Sequence, residues 1–161
     1  MIKYAKKDNS YSIFPMGEIP NDWEELTKEE YDKHFEKTLS ELKSEKLAEL
    51  TSITSKFDNQ LVNNDMVIKS SLGFKVNADL RSQLNIRRLI SIGAEPVSFI
   101  IADNTTVDLS LAQLNILISE CEENMQHLFE LKQSYKKQIA GAKTKEELGA
   151  IDLQFTMKDF S

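Results

Sequence analysis

From Tyr31 onward, Tyr31, Phe35, Leu39, Leu42, Leu50, Ile53 and Phe57 recur in steps that place them on one helical face, interrupted only by Lys46. The spacing predicts a helix of about 30 residues beginning at Thr27. Thr27 and Glu30 have the spacing of a capping box, in which each side chain takes the other residue's main-chain N–H. Glu29 and Glu30 place negative charge at the positive end of the helix dipole. Neither Gly nor Pro interrupts residues 21–72. Such a helix is long for a compact domain of this size. Its narrow stripe suits either lengthwise packing on its own body or a coiled-coil seam for a partner.

Past Phe57 the period shortens. Met66-Val67-Ile68-Lys69-Ser70 and Phe74-Lys75-Val76 are strand-like runs around Ser71-Leu72-Gly73, with Gly73 suited to the positive φ of a tight hairpin. Asn77 or Asp79 then caps a helix carrying Leu80, Leu84, Ile86, Leu89 and Ile90, which stops at Gly93 with Pro96 beyond. The plan repeats. Val97-Ser98-Phe99-Ile100-Ile101-Ala102 and Thr106-Val107-Asp108-Leu109 flank the turn Asp103-Asn104-Thr105. Ser110 and Gln113 open a second long helix on Leu111, Leu114, Leu117, Ile118, Cys121, Met125, Leu128, Leu131, Tyr135 and Ile139. Thr144 and Glu147 start a short helix through Leu148.

At the front, Ile2-Lys3-Tyr4 and Tyr11-Ser12-Ile13-Phe14 flank turn chemistry at Asp8-Asn9-Ser10, a short hairpin. Ile19-Pro20-Asn21-Asp22-Trp23 reads as an extended lead into the helix. The expected fold is α+β and predominantly helical: a small N-terminal β segment, a long helix, then two β-hairpin–helix units. The expected divisions are 1–26, 27–59, 60–152 and a tail at 153–161, with Phe155, Met157 and Phe160 of the tail available for contact.

Charge narrows the candidate functions. The net charge is −6 and the pI about 5.0, so a phosphate backbone would need a strong local basic patch. Arg81, Arg87 and Arg88 are the densest candidate, without the interleaved aromatics that stack bases. No nucleic acid is expected as a partner. No apolar run approaches the ~18 residues of a membrane span, and the start lacks the apolar core of a signal peptide; a soluble protein of the cytoplasm is expected.

Candidate chemistry is sparse. The single cysteine, Cys121, lies on an apolar stripe, where a buried structural thiol is expected. His34 and His127 lack neighbours at metal-ligand spacing. Paired carboxylates such as Glu29-Glu30 and Glu122-Glu123 fall in first helical turns or on polar faces. The glycines at 17, 73, 93, 141 and 149 are scattered rather than clustered in a phosphate loop. No catalytic residue, metal or cofactor is expected.

Three ordered motifs carry a resemblance. They are Gly73-Phe74-Lys75-Val76-Asn77-Ala78-Asp79, then Phe99-Ile100-Ile101-Ala102-Asp103-Asn104-Thr105-Thr106-Val107-Asp108-Leu109, then Lys136-Lys137-Gln138-Ile139-Ala140-Gly141-Ala142-Lys143-Thr144-Lys145-Glu146-Glu147-Leu148. Their order and spacing over residues 60–152 resemble a domain carried by tail-fibre assembly and tail-associated proteins of Mu-like phages and prophages. Phe14-Pro15-Met16 and Ile19-Pro20-Asn21-Asp22-Trp23 also resemble the starts of tail-fibre assembly proteins, and Ile101 stands near where many relatives carry Trp.

The resemblance implies a non-catalytic chaperone that binds a phage tail-fibre protein in the host bacterial cytoplasm and assists its folding and trimerisation. A structural component retained on the virion tail is the alternative, and a phage-encoded inhibitor of a host protein a weaker one. Contact is expected through hairpin edges or the long-helix stripe, at Tyr31, Phe35, Leu39, Leu42, Phe99 and Ile101, with a homo-oligomer through the long helix as a further option.

Overall fold

The stripe that begins at Tyr31 is carried by two helices, not one. In the computed structural model, which describes residues 2–15, 18–93 and 95–161, α1 covers Lys28–Phe35 and α2 covers Leu39–Val62. The Thr27–Glu30 capping box opens α1 with both arms formed. Glu36 then turns extended, at φ −65° and ψ 122°. A second capping box follows: Thr38 Oγ1 accepts from the Glu41 N–H at 3.2 Å, and the Thr38 N–H donates to Glu41 Oε2 at 2.7 Å. Periodicity alone hides this break, because Phe35 and Leu39 are four residues apart and would stack on a continuous helix. A Thr with Glu three residues on satisfies the free N–H groups of a new start, and two such pairs make two helices. The expectation of one helix from Thr27 is corrected accordingly; the long helix is α2 alone.

The chain divides into two compact units, Met1–Glu41 and Leu42–Ser161. In the first, β1 (Lys3–Lys7) pairs antiparallel with β2 (Ser10–Phe14) on one side and β3 (Glu24–Leu26) on the other. Asp8 takes a positive φ of 51° at the hairpin turn. Cross-strand ion pairs Lys3–Glu25 (3.4 Å) and Lys6–Glu24 (3.0 Å), with Lys7–Asp22, line the β1–β3 edge. Helix α1 covers this sheet through an aromatic group: Tyr4 and Tyr31 centroids lie 5.0 Å apart, and Tyr11 stacks on His34 at 3.5 Å. Met16 and Gly17 lie outside the described residues.

The second unit is built on the repeated hairpin–helix plan. Strands β4 (Val67–Lys69) and β5 (Lys75–Asn77) pair antiparallel around Gly73, whose φ of 88° a side chain would strain. Asp79 caps α3 (Leu80–Ile92), accepting from the Ser82 N–H and hydroxyl at 2.9 Å each. Gly93, at φ 68°, closes it. Strands β6 (Val97–Ile100) and β7 (Thr106–Leu109) form the second hairpin, and the Ala102 N–H reaches the Lys75 carbonyl of the first at 3.0 Å. Helix α4 (Leu111–Gly141) opens with the Ser110–Gln113 box, and α5 (Lys145–Gly149) with Thr144.

The core lies where both hairpins meet α3 and α4, on Met66, Ile68, Val76, Ile86, Phe99, Ile101, Leu109, Leu114, Leu117, Cys121 and Leu128. Helix α2 runs antiparallel along α4. Lys43 donates to the Ala140 carbonyl at 2.8 Å near one end, and Phe57 and Leu61 pack on the core near the other. The stripe read as a possible seam for a second copy therefore faces the unit's own α4. Lys46, the interruption in that stripe, pairs with Glu49 at 3.1 Å and shares a recess with Leu42, Leu148 and Gly149.

Candidate functional site

On β6 alternate side chains point to opposite faces. Val97 and Phe99 are buried while Ser98 and Ile100 face outward. Phe99 and Ile101, expected as partner contacts, are each only 6% exposed and belong to the core, which corrects that expectation. Two-residue periodicity permits only one face of the strand to reach a partner, and that face carries Ile100, 62% exposed. Facing outward on α3, Leu84 is 67% exposed. A shallow recess lined by Asn77, Ser82, Asn85, Leu89, Ser98 and Ile100 adjoins a second lined by Arg81, Leu84 and Arg88, with Ser82 and Asn85 common to both. Leu89 and Ile100 in the first recess and Leu84 in the second thus stand beside the amide and hydroxyl side chains of Asn85 and Ser82. Arg87 pairs with Glu122 on α4, while Arg81 and Arg88 line the second recess.

The other expected contacts fall in different places. Tyr31 and Phe35 belong to the aromatic group on the first unit's sheet, with Phe35 58% exposed. Leu39 and Leu42 sit half-buried in the first turn of α2. Tyr31 and Phe35 are thus carried by α1, and Leu39 and Leu42 by α2.

A third surface involves residues 153–161, expected as a tail available for contact; with Ile151 and Asp152 they lie across α2 and α4. Ile151 and Leu153 are buried, and Phe155 and Met157 half-buried, while Asp152, Gln154 and Thr156 face out. This is the period-two alternation of a half-buried strand, and it was available in the sequence Ile-Asp-Leu-Gln-Phe-Thr-Met. The Tyr135 hydroxyl donates to the Gln154 carbonyl and accepts from the Gln154 N–H, both at 3.0 Å. Asn124 Oδ1 accepts from the Lys158 N–H at 3.0 Å. Further on, the Phe160 N–H reaches the Lys69 carbonyl at 3.1 Å, with Asp159 bridged in parallel to the free edge of β4. Phe155 sits between Phe57 and Tyr135, with ring centroids at 6.0 and 5.4 Å.

This seat is not filled by its occupant. Beside Phe155 an apolar recess of about 150 Å³ opens between Phe57, Met66, Met125, Leu128 and Phe129, with Asp58 and Lys132 also lining it. Beneath the far end, two buried atoms have no hydrogen-bond partner among the described residues: Asn124 Nδ2 and, one turn earlier on α4, Glu120 Oε2. The other Glu120 oxygen accepts from the Ser71 N–H and hydroxyl at the β4–β5 turn. A buried polar atom left unpaired costs about 1–3 kcal/mol.

Residues 41–154 match the family model described as "Domain of unknown function (DUF4376)". The chain belongs to the DUF4376 family. No curated protein and no solved structure matches it. The DUF4376 match begins at the division between the two compact units, so the sheet and α1 lie before it. It takes in both hairpins, α3, α4 and α5, the exposed Leu84 and Ile100, and the groove residues Phe57, Lys69, Asn124 and Tyr135. Phe155, Met157, Lys158 and Phe160 lie past its end.

Within the DUF4376 domain the one thiol is poorly placed for nucleophilic chemistry. Burial pushes Cys121 up to about 12, and the nearby carboxylates of Glu120, Glu122 and Asp79 push the same way. The thiolate is the reactive form, and the Cys121 side chain is buried in the core cluster. Among the described residues no group of His, Cys, Asp and Glu is placed to hold a metal ion, and no helix is long and apolar enough to cross a membrane.

Proposed function

We propose that this protein is a non-catalytic binding protein that assists assembly of a phage tail fibre, holding apolar surface of the fibre chain until it folds and trimerises. The observation that carries the binding part is the outward placement of Leu84 and Ile100 on the DUF4376 domain, around Ser82 and Asn85. Neither side chain is used by the domain's own core. The three-motif resemblance to tail-fibre assembly proteins supplies the partner. A chaperone of this kind acts by binding a folding intermediate more tightly than the finished product, which needs an accessible apolar face and no reactive group. The host bacterial cytoplasm is where such a step takes place.

Co-expression with a phage tail-fibre protein tests this reading. The expected result is soluble trimeric fibre in higher yield with the wild-type chain than with a Leu84→Asp, Ile100→Asp variant. Equal yields with and without the chain would sink it. Mass spectrometry of purified particles separates the chaperone from a structural tail component, since only the latter leaves a stoichiometric signal.

A further inference from the structure

We propose that the seat occupied by residues 151–161 is a groove for an extended segment of a partner chain bearing apolar or aromatic side chains at every second position, and that the protein's own segment closes it until displaced. The inference goes beyond the fibre-assembly reading and stands whichever protein supplies the segment.

The segment is held as a bound peptide is held. Its main chain is read by side chains of the helices, the Tyr135 hydroxyl at Gln154 and the Asn124 amide at Lys158, which is recognition indifferent to the occupant's side chains. At the edge of β4 it is held by the bridge at Asp159 and by the Phe160 N–H on the Lys69 carbonyl. Specificity comes from the alternate positions Phe155, between two rings, and Met157, on the core; Phe160, three residues further on, packs on the core outside that alternation. The ion pairs at its far end, Lys69–Asp159 at 3.2 Å and Lys158–Glu123, are solvent-exposed, and such pairs hold weakly.

Two observations indicate that the groove accepts more than this occupant offers. The recess beside Phe155 has room for a larger or differently placed apolar side chain, and its Met66 and Met125 walls can adapt to one. At the other end, the Asn124 amide that holds Lys158 has in Nδ2 a buried donor without an acceptor among the described residues. A partner segment presenting a carbonyl or a polar side chain there would satisfy an atom that the resident segment leaves unpaired. The groove is formed by residues inside the family-matched range, while the displaceable part of the occupant, from Phe155 on, lies past it.

The test uses the full chain and a fluorescein-labelled peptide with the sequence of residues 151–161. Anisotropy titration should show the peptide binding at least about tenfold more tightly to a Phe155→Asp, Met157→Asp variant than to wild type, because closure in cis reduces the competent fraction. Adding Asn124→Ala to that variant should weaken peptide binding by about tenfold, the effect of losing the main-chain contact at Lys158. A variant that keeps its helical circular dichroism yet does not bind the peptide overturns the proposal. Hydrogen exchange on the unsubstituted protein gives an independent reading. The Lys158 and Phe160 amides should exchange at least about 100-fold faster than those near Leu117, as for a locally opening segment. Equal protection would make the segment a fixed part of the core and refute the proposal, even if the substituted variant fails to fold. Concentration-dependent dimers that the peptide dissociates would assign the groove to a second copy's segment and equally overturn a partner chain as its ligand.

Discussion

Tyr135 and Gln154 are joined by a two-way hydrogen bond in which one phenol hydroxyl serves both the carbonyl and the N–H of the same residue, each at 3.0 Å. A side chain on α4 thus does for an extended segment what a neighbouring strand does in a sheet. It fixes the main chain at the point where the segment leaves the short α5 helix and crosses α4.

Tyr135→Phe should remove both bonds while keeping the ring against Phe155. The expected loss is about 0.5–1.5 kcal/mol, because Gln154 is exposed and water replaces part of what is lost. Urea denaturation measures the loss; the Gln154 N–H keeps its bond to the Asp152 carbonyl at 3.1 Å, so stability is the deciding readout, and a variant as stable as wild type would contradict the arrangement.

Adjacent positions on β6 should behave oppositely. Phe99→Ala removes a core ring and is expected to destabilise by about 3–5 kcal/mol. Ile100→Ser alters an outward side chain and should stay within about 0.5 kcal/mol of wild type. Thermal unfolding of the two variants decides between this register and its one-residue alternative, in which the costs would be reversed.

Cys121 should resist alkylation at pH 8 in the native protein and react rapidly once urea unfolds it. Burial holds the thiol at about 12, so the thiolate is scarce at that pH until the core opens. Labelling with iodoacetamide followed by mass spectrometry checks this; rapid labelling without urea would show that the thiol is reachable.

Acid should loosen the end of the segment. Hydrogen bonds from the Ser161 hydroxyl and N–H, then from Lys69, lower Asp159 from 3.8 to about 2. A carboxyl whose folded value lies below its unfolded one stabilises the fold fully above the unfolded value and loses that contribution as pH falls through the folded one. The window is therefore from about pH 4 down to about pH 2. Only the part due to Lys69 is linked to docking, since Ser161 travels with Asp159. The Met157 methyl resonance should shift toward its free position across that window in wild type, and less so in Lys69→Met, which lacks the partner charge from the outset.

Much of the architecture was determined by local sequence. Gly73 and Gly93 sit at positive φ, Asp79 and Ser110 cap their helices, and the turns between β4 and β5 and between β6 and β7 fall where Gly and Asp-Asn-Thr place them. These features are decided within a few residues by steric limits and by main-chain groups needing a partner, so the sequence alone specifies them. The Thr38–Glu41 box and the alternation across residues 151–157 were equally local, and were masked by a stronger helical period on one side and by the polar look of a closing segment on the other.

What tertiary structure alone decided is which apolar side chains remain for others. Phe99 and Ile100 are equally hydrophobic neighbours, and only the packing of β6 on α3 and α4 buries one and exposes the other. The stripe on α2 could have faced a partner, but α4 lies against it. Asn124 reads as an ordinary polar helix residue until the segment carrying Lys158 crosses it and donates to its buried amide oxygen. Burial is a property of distant residues brought together, and no window along the chain contains it.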